Sequence, residues 1–401
     1  MKSKEIKKQL NKDAAAIEVP DVLENIKNAD FNNYKGLPEN GTVNVKPQRT
    51  KPLKLTRKKF GLISAIAAGM AAVLVLSIGL PIWLSNNNPT PTANLAYRLM
   101  PTENAYEVSI GTATDKDIVI ASKHNGRPVK QIAKDGFTNT DIESIVMPDS
   151  ITVIVDGDGA LERGAFSDCN NLKSVVLSKN ITSIGIFAFA HCESLANITV
   201  SNSVKNIGDL AFTGCSNLES VIFETNSQLT DIGTQVFFGC SSLKSITIPA
   251  SVTSIGTNLF SYCDGLESII VETGNMVYKS EGNCLIQIAN EWNKSVLIAG
   301  CKNSIIPNDV TSIYPFAFLG CNSLTNIIIS NSVTSIGNYA FYGCSGLTSI
   351  IIPESVTIIS NYVFENCLNL TIYVETASKP DGWYETWNHS NCPVIWGYTG
   401  D

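Results

Sequence analysis

The sequence predicts a β-rich repeat solenoid with a parallel sheet along one face, preceded by a single transmembrane helix. Two observations support this architecture. A Phe recurs, mostly every 23 residues, between Phe137 and Phe364, with Ile, Cys and Leu at fixed distances from it. Self-similarity at such a period is the signature of a solenoid. Upstream of the repeats, an uncharged run of 25 residues separates a basic segment from an acidic one.

The first 59 residues carry 14 Lys or Arg against 7 Asp or Glu, whereas the whole chain has a net charge of -7. The apolar run at 60–84 is long enough to cross a bilayer core with some tilt. Because basic residues flank its N-terminal side, we expect 1–59 to be a cytoplasmic basic tail and 60–84 an uncleaved transmembrane signal-anchor. A cleaved signal peptide is the alternative, but this basic segment and this apolar run are both too long for one.

Residues 85–94 are rich in Ser, Asn, Pro and Thr, a composition that predicts a short extended spacer. Beyond the spacer, the chain is acidic. Nucleic-acid binding requires basic patches for the phosphates, so we expect no nucleic-acid partner.

The repeat unit reads I-G-x-x-A-F-x-G-C-x-x-L-x-S-I-x-I-P-x-S-V-T-S. Its L-x-S-I-x-I segment alternates and is rich in β-branched residues, which predicts a strand. V-T-S-I-G predicts a second short extended piece, and A-F-x-G-C a compact turn or a single helical turn. One unit cannot bury its Phe, Leu and Ile alone, so the units must stack and bury these residues as continuous columns.

This pattern resembles the BspA-type leucine-rich-repeat family of bacterial and protist surface proteins, over roughly residues 95–401. A lead-in or N-terminal cap is expected at 95–130, where Asp117–Pro128 matches the family, and repeats of leucine-rich type at 131–377. Asn275–Pro307 is similar to the interruption common in the family. The resemblance implies a cell-surface protein associated with adhesion.

The tail at 378–401 contains Trp383, Trp387 and Trp396. A solenoid needs a cap over its last open face, and three Trp could supply it. An aromatic ligand site is the alternative interpretation of these residues.

In each L-x-S-I-x-I strand, the residue between the two buried positions should face outward. All eight such residues are β-branched and six are apolar, so they form a candidate partner-binding stripe on the sheet face. β-Propensity with cross-strand packing is the competing explanation. The stripe comprises Val146, Val176, Thr199, Ile222, Thr247, Ile270, Ile328 and Ile351.

Four carboxylates, Glu219, Glu224, Glu267 and Glu272, lie at both ends of two of these strands, with Lys244 on the strand between. They extend the candidate partner-binding surface, because they could bind a basic partner or a cation. A solvated acidic face is the simpler interpretation.

Of the 11 Cys, eight form one repeat column, which predicts buried thiols with a packing role. Cys284 and Cys301 flank the interruption. If the segment between them is a hairpin, the two fall opposite each other, and a disulfide is possible.

No catalytic, cofactor-binding or metal site is expected. The chain has 3 His and no C-x-x-C, a poor supply of zinc ligands. Cys192 beside His191 could form a nucleophile–base pair only if the two side chains pointed the same way.

The function that we expect is non-catalytic binding or adhesion by a membrane-anchored protein whose repeats are extracellular. Its partner would be a host, matrix or neighbouring-cell protein. One alternative is a transmembrane sensor whose head, residues 1–59, binds a cytoplasmic regulator in an anti-sigma-like role. A surface enzyme is the other alternative, which the shortage of His disfavours.

Overall fold

A computed structural model describes residues 90–289 and 294–400. The predicted tail at 1–59, the signal-anchor at 60–84 and the first half of the spacer, 85–89, lie outside the described residues. Within those that are described, none of the chain forms a helix of the length and hydropathy that crossing a membrane needs.

The chain is built of short strands joined by turns. The first are β1 (Ala96–Met100), β2 (Ala105–Ser109), β3 (Asp117–Val119), β4 (Lys123–His124), β5 (Arg127–Ile132), β6 (Ser144–Val146), β7 (Val153–Ile154), β8 (Ser174–Val176) and β9 (Ser183–Ile184). The middle strands are β10 (Asn197–Val200), β11 (Asn206–Ile207), β12 (Ser220–Phe223), β13 (Asp231–Ile232), β14 (Ser245–Ile248), β15 (Ser254–Ile255) and β16 (Ser268–Val271). The last are β17 (Tyr278–Glu281), β18 (Cys284–Gln287), β19 (Ser295–Ala299), β20 (Val310–Ile313), β21 (Ser335–Ile336), β22 (Ser349–Ile352), β23 (Ile358–Ile359), β24 (Thr371–Val374) and β25 (Val394–Trp396).

The L-x-S-I-x-I segments form what we call the front sheet. Its strands run parallel in three groups, β3-β6-β8, β10-β12-β14-β16 and β22-β24-β25. Equivalent residues are in register, as Ile246 of one coil is with Ile269 of the next. The predicted solenoid with a parallel sheet is therefore confirmed.

The V-T-S-I-G segments form a second parallel sheet, the side sheet. One part runs β5-β7-β9-β11-β13-β15 and continues outward from β5 through β2 to β1, which pairs antiparallel with β2. The other part contains β20, β21 and β23. These strands are only two residues long in most coils because the Gly that follows the Ile turns the chain away.

The A-F-x-G-C segments are chains of tight turns rather than helical turns. In one coil the Ala190 amide donates to the Phe187 carbonyl three residues earlier, and the Phe189 amide donates to the Ala211 carbonyl of the next coil at 2.8 Å. The turns therefore carry coil-to-coil hydrogen bonds much as the two sheets do.

The repeated Phe side chains stack along the axis of the solenoid. From Phe137 to Phe260, neighbouring ring centroids lie 5.0–6.0 Å apart and the rings are nearly parallel. A second column joins Phe318, Phe341 and Phe364. Each buried ring contributes on the order of 1.5–3 kcal/mol from burial alone.

The interruption is an antiparallel meander of β17, β18 and β19, after which β19 pairs parallel with β20. It divides the apolar core into two clusters, one reaching from Leu95 to Cys301 and the other from Cys284 to Cys392. The hairpin contributes to both: Leu285 lies in the first cluster and Ile286 in the second. Because successive side chains of β18 point to opposite faces, one face of the meander packs in the first core and the other face in the second.

The tryptophans of the tail lie at the end of the second Phe column. Trp387 meets Phe364 edge to face at 6.0 Å, and Trp383 lies 4.8 Å from Trp387. Trp383 is buried, and its indole N–H donates to the Val356 carbonyl at 3.0 Å. The cluster covers the open end of the apolar column.

Candidate functional site

The stripe predicted from the sequence runs along the outer side of the front sheet. Each member lies between two side chains that point into the core. Lateral neighbours are paired in register as Val146–Val176, Thr199–Ile222, Thr247–Ile270 and Ile328–Ile351. The structure therefore brings members of adjacent coils side by side on one surface.

Exposure along the stripe is uneven. Thr199, Thr247 and Ile328 are exposed, whereas the other five members of the stripe are half-buried. Ile328 is 64% exposed, although Ile327 and Ile329 on either side are 4% exposed. Cross-strand packing therefore accounts for part of the β-branched pattern, and it leaves apolar surface open to solvent.

Ile305 is a further exposed apolar residue, at a position like that of the stripe members, that the sequence pattern missed. It is 70% exposed and stands two residues before Pro307, as Thr247 stands two residues before Pro249. Lys302 makes an ion pair with Glu267 at 2.9 Å, which ties this inserted segment to the start of β16. At the C-terminal end, Tyr373 is in register with Ile351.

Two of the four predicted carboxylates stabilise turns. Glu224 accepts a hydrogen bond from the Asn202 amide at 3.0 Å, and Glu272 accepts one from the Ala250 amide at 2.9 Å. Glu375 does the same for the Glu354 amide at 3.0 Å. The repetition shows that this position satisfies a backbone N–H of the preceding coil.

The other two predicted carboxylates belong to a row of charges that precedes the front strands by one residue. Glu219 and Glu267 lie in this row on either side of Lys244, and their backbones are hydrogen-bonded to it. Lys302 lowers the pKa of Glu267 by a hydrogen bond and by its charge. An acidic patch does not form here, because basic residues alternate with the carboxylates.

The row shows the same alternation further towards the N-terminus. Glu143 lies between Lys116 and Lys173 and is 2.8 Å from the amine of each. Hydrogen bonds from these two amines lower the pKa of Glu143 to about 2. The described residues contain no group of three metal-ligating side chains.

The column cysteines are buried and unpaired. Each thiol from Cys169 to Cys263 donates to the carbonyl of the Phe one coil earlier; Cys215, for example, donates to Phe189 at 3.1 Å. Burial raises the pKa of Cys215 to about 12. The column is therefore unreactive at neutral pH, since the thiolate is the nucleophilic form.

Cys284 and Cys301, for which the sequence allows a disulfide, are both free thiols in this structure. β18 and β19 form the expected hairpin. Cys284 packs in the second core cluster and Cys301 in the first, and Ser304 is a hydrogen-bond partner of both thiols. The two thiols therefore lie on either side of one serine where the two cores meet.

Cys192 and His191 do not form a nucleophile–base pair. The Cys192 thiol points inward and donates to the Phe166 carbonyl at 3.1 Å. The His191 ring lies over Gly214 of the next coil, where a Cβ would collide with it. Adjacent residues on this turn thus point in different directions.

The comparisons with known proteins agree with the observed architecture. The crystal structure of the pneumococcal vaccine antigen PcpA is similar with a TM-score of 0.62 and 20% identity, over 77% of this chain and 85% of PcpA. A leucine-rich cell surface protein from Faecalibacterium prausnitzii is 24% identical with a TM-score of 0.48, over 78% of this chain and 96% of that one. Among curated proteins, none matches.

A family model described as the BspA-type leucine-rich-repeat region matches in 6 copies, over residues 159–281 and 298–378. These ranges make up half of the chain and contain the front strands β8 to β16, β22 and β24. The chain therefore belongs to the family of BspA-type leucine-rich-repeat proteins.

Proposed function

We propose that this chain is a membrane-anchored cell-surface binding protein that acts in adhesion, without catalysis. The exposed apolar stripe on the front sheet carries this proposal. Its apolar side chains are half-buried or exposed and form a contiguous row, and contiguous apolar surface of this kind is typical of protein-binding surfaces. Solenoids commonly bind partners on such extended faces.

The anchor in this proposal is the uncharged run at 60–84, with the basic tail at 1–59 in the cytoplasm. The supporting observations are the charge difference between the two flanks and the family's association with cell surfaces. The partner is an extracellular protein, and the contact is made along the stripe from Val146 to Ile351. Burying one such side chain fully is worth on the order of 1.5–3 kcal/mol, so a few of them suffice for a specific interface.

The test places a charge on the stripe of the full-length chain displayed on cells. Ile222→Lys and Ile328→Lys should each weaken binding to matrix proteins or to neighbouring cells at least about tenfold, because a Lys in an apolar contact must be desolvated. Binding is measured on intact cells, with display quantified by an antibody to the repeats.

Ile358→Lys is the matched control, since Ile358 is 45% exposed but lies on the side sheet. It should bind as the unaltered chain does. Equal binding by all three variants would rule out the front sheet as the binding surface.

A further inference from the structure

The charged row is defined by one residue from each of seven successive coils. Backbone hydrogen bonds link its members, as from the Glu143 amide to the Lys116 carbonyl at 2.7 Å and from the Glu219 amide to the Ala196 carbonyl at 2.8 Å. Lys173 and Ala196 directly follow the equivalent buried Leu172 and Leu195 of adjacent coils. In order, the row is Lys116, Glu143, Lys173, Ala196, Glu219, Lys244 and Glu267.

The sequence of charges in this row is antisymmetric about Ala196. Before Ala196 the signs are positive, negative, positive; after it they are negative, positive, negative. Members at equal distances from Ala196 therefore carry opposite charges. Read in reverse, the row is the electrostatic complement of itself, which is the property that an isologous two-fold interface requires.

Ala196 is the member on which a two-fold axis would fall, and it is the uncharged one. A residue on such an axis meets its own copy. A Lys or Glu there would face a like charge, whereas Ala avoids this repulsion. If position 196 carried a charge and the signs alternated without interruption, members at equal distances from it would carry like charges, and the antisymmetry would be lost.

The apolar stripe obeys the same symmetry. Thr199 lies in the same coil as Ala196, three residues further along the chain. An axis along that strand brings Val176 opposite Ile222 and Val146 opposite Thr247. All of these side chains are β-branched and similar in size, so the two stripes can pack against each other.

We propose that the front sheet binds a second copy of this chain, face to face, about a two-fold axis along the strand of Ala196 and Thr199. The inference rests on the proposed function and names its partner. Across the interface Lys116 faces Glu267, Glu143 faces Lys244, and Lys173 faces Glu219. Apolar contact along the stripe supplies the affinity, and the charges fix the register and orientation.

A second copy fits the observations better than an unrelated partner does. Within these seven coils the six charges sum to zero, so this part of the surface favours neither an acidic nor a basic protein, and Lys302, paired with Glu267 at 2.9 Å, adds one positive charge beyond it. The two-fold axis also reverses the order of the coils. The N-terminal ends of the two copies then lie at opposite ends of the pair, an arrangement suited to chains anchored in two facing membranes.

The experiment uses the full chain in detergent micelles and two charge reversals, Glu143→Lys and Lys244→Glu. Each variant alone places like charges at both symmetry-related contacts. Self-association, measured by sedimentation velocity, should fall at least about tenfold for each. When the two variants are mixed, the two altered positions face each other with opposite charges and the second contact is native, so pairing should return to the level of the unaltered chain.

Lys205→Glu is the control, because it makes the same charge change on an exposed residue that leads into the side sheet; it should pair normally. Restoration in the mixture excludes misfolding as the cause of the single-variant losses. An unaltered chain that stays monomeric, or a mixture that fails to pair, would overturn the proposal. If such a monomeric chain still bound other proteins through Ile328, the proposed function would stand without the two-fold pair.

Discussion

Seven of the eight column cysteines donate a hydrogen bond to the carbonyl of a buried Phe in the preceding coil. The Phe189 carbonyl accepts from the Cys192 amide of its own coil and from the Cys215 thiol of the next. The thiol thus couples two coils as well as filling space, which explains why the repeat retains Cys where Ala would fit. Buried carbonyls that lack a donor destabilise a fold.

Cys344→Ala should lower the free energy of unfolding by about 1–3 kcal/mol, since it removes one of the two hydrogen bonds to a buried carbonyl and opens a small cavity. The Cys344 thiol lies 3.2 Å from the Phe318 carbonyl. Cys392 is the comparison within the same core, because its thiol makes only longer contacts, at 3.4 Å to the Cys367 carbonyl and at 3.9 Å to the Phe364 carbonyl. Cys392→Ala should cost less than half as much in urea unfolding; equal losses would show that the thiol contact is unimportant.

The turn conformations at single residues could not be predicted from residue type. The position two before eight of the nine column Phe residues has a positive φ, yet it holds bulky side chains such as Leu210 and Tyr339, with φ of 56° and 56°. Such a conformation usually indicates Gly. Tyr339 stacks with Phe316 and Tyr362 at 5.3 and 5.2 Å, and this stacking offsets the local strain. The compensation comes from neighbouring coils, so no local sequence signal reveals it.

At the scale of elements, the interruption depends on a close approach at Gly300. Its Cα faces the Phe318 ring, and a Cβ there would run into that ring. The first Phe column ends at Phe260 and the second begins at Phe318, so this contact lies where the two columns are separated.

Gly300→Ala should therefore destabilise the chain by about 1–3 kcal/mol through overpacking. Gly159→Ala is the matched control, because a Cβ at Gly159 meets nothing within 4 Å. Thermal unfolding of both variants tests this expectation, and a Gly300→Ala variant as stable as the control would show that Phe318 can move away without cost.

The sequence repeat predicts both families of strands because the alternation and the Gly positions are local signals. It does not predict Ile305, since the segment 304–307 is one residue shorter than the S-I-x-I-P of other coils. When the repeat pattern is laid over this shorter segment, its outward-facing position does not fall on Ile305. The repeat also does not predict that Cys284 and Cys301 pack in different core clusters, because that assignment depends on the meander that separates the two cores.

At the scale of the whole molecule, the described part of the chain has two cores joined by one meander. Solenoid stability is approximately a sum of contributions from single coils and from contacts between neighbours. A defect should therefore act mainly on the core that contains it, and its effect should weaken across the interruption.

Phe341→Ala should accelerate amide hydrogen exchange in residues 310–392 and leave 118–271 nearly unchanged, and Phe189→Ala should do the reverse. Truncation of a buried Phe costs about 3–5 kcal/mol, enough to open one core locally. Exchange followed by mass spectrometry resolves the two regions. Uniform acceleration across both would show that the cores unfold as one cooperative unit.

The meander also determines how the molecule responds to mechanical load. When force acts on the C-terminal end, coils that are held only by their neighbours detach one after another. Unfolding that begins at β25 passes through the second core and then reaches β18 and β19, where the strand direction reverses and a different set of hydrogen bonds must break. We expect unfolding to pause there, with the first core and the stripe from Val146 to Ile270 still folded.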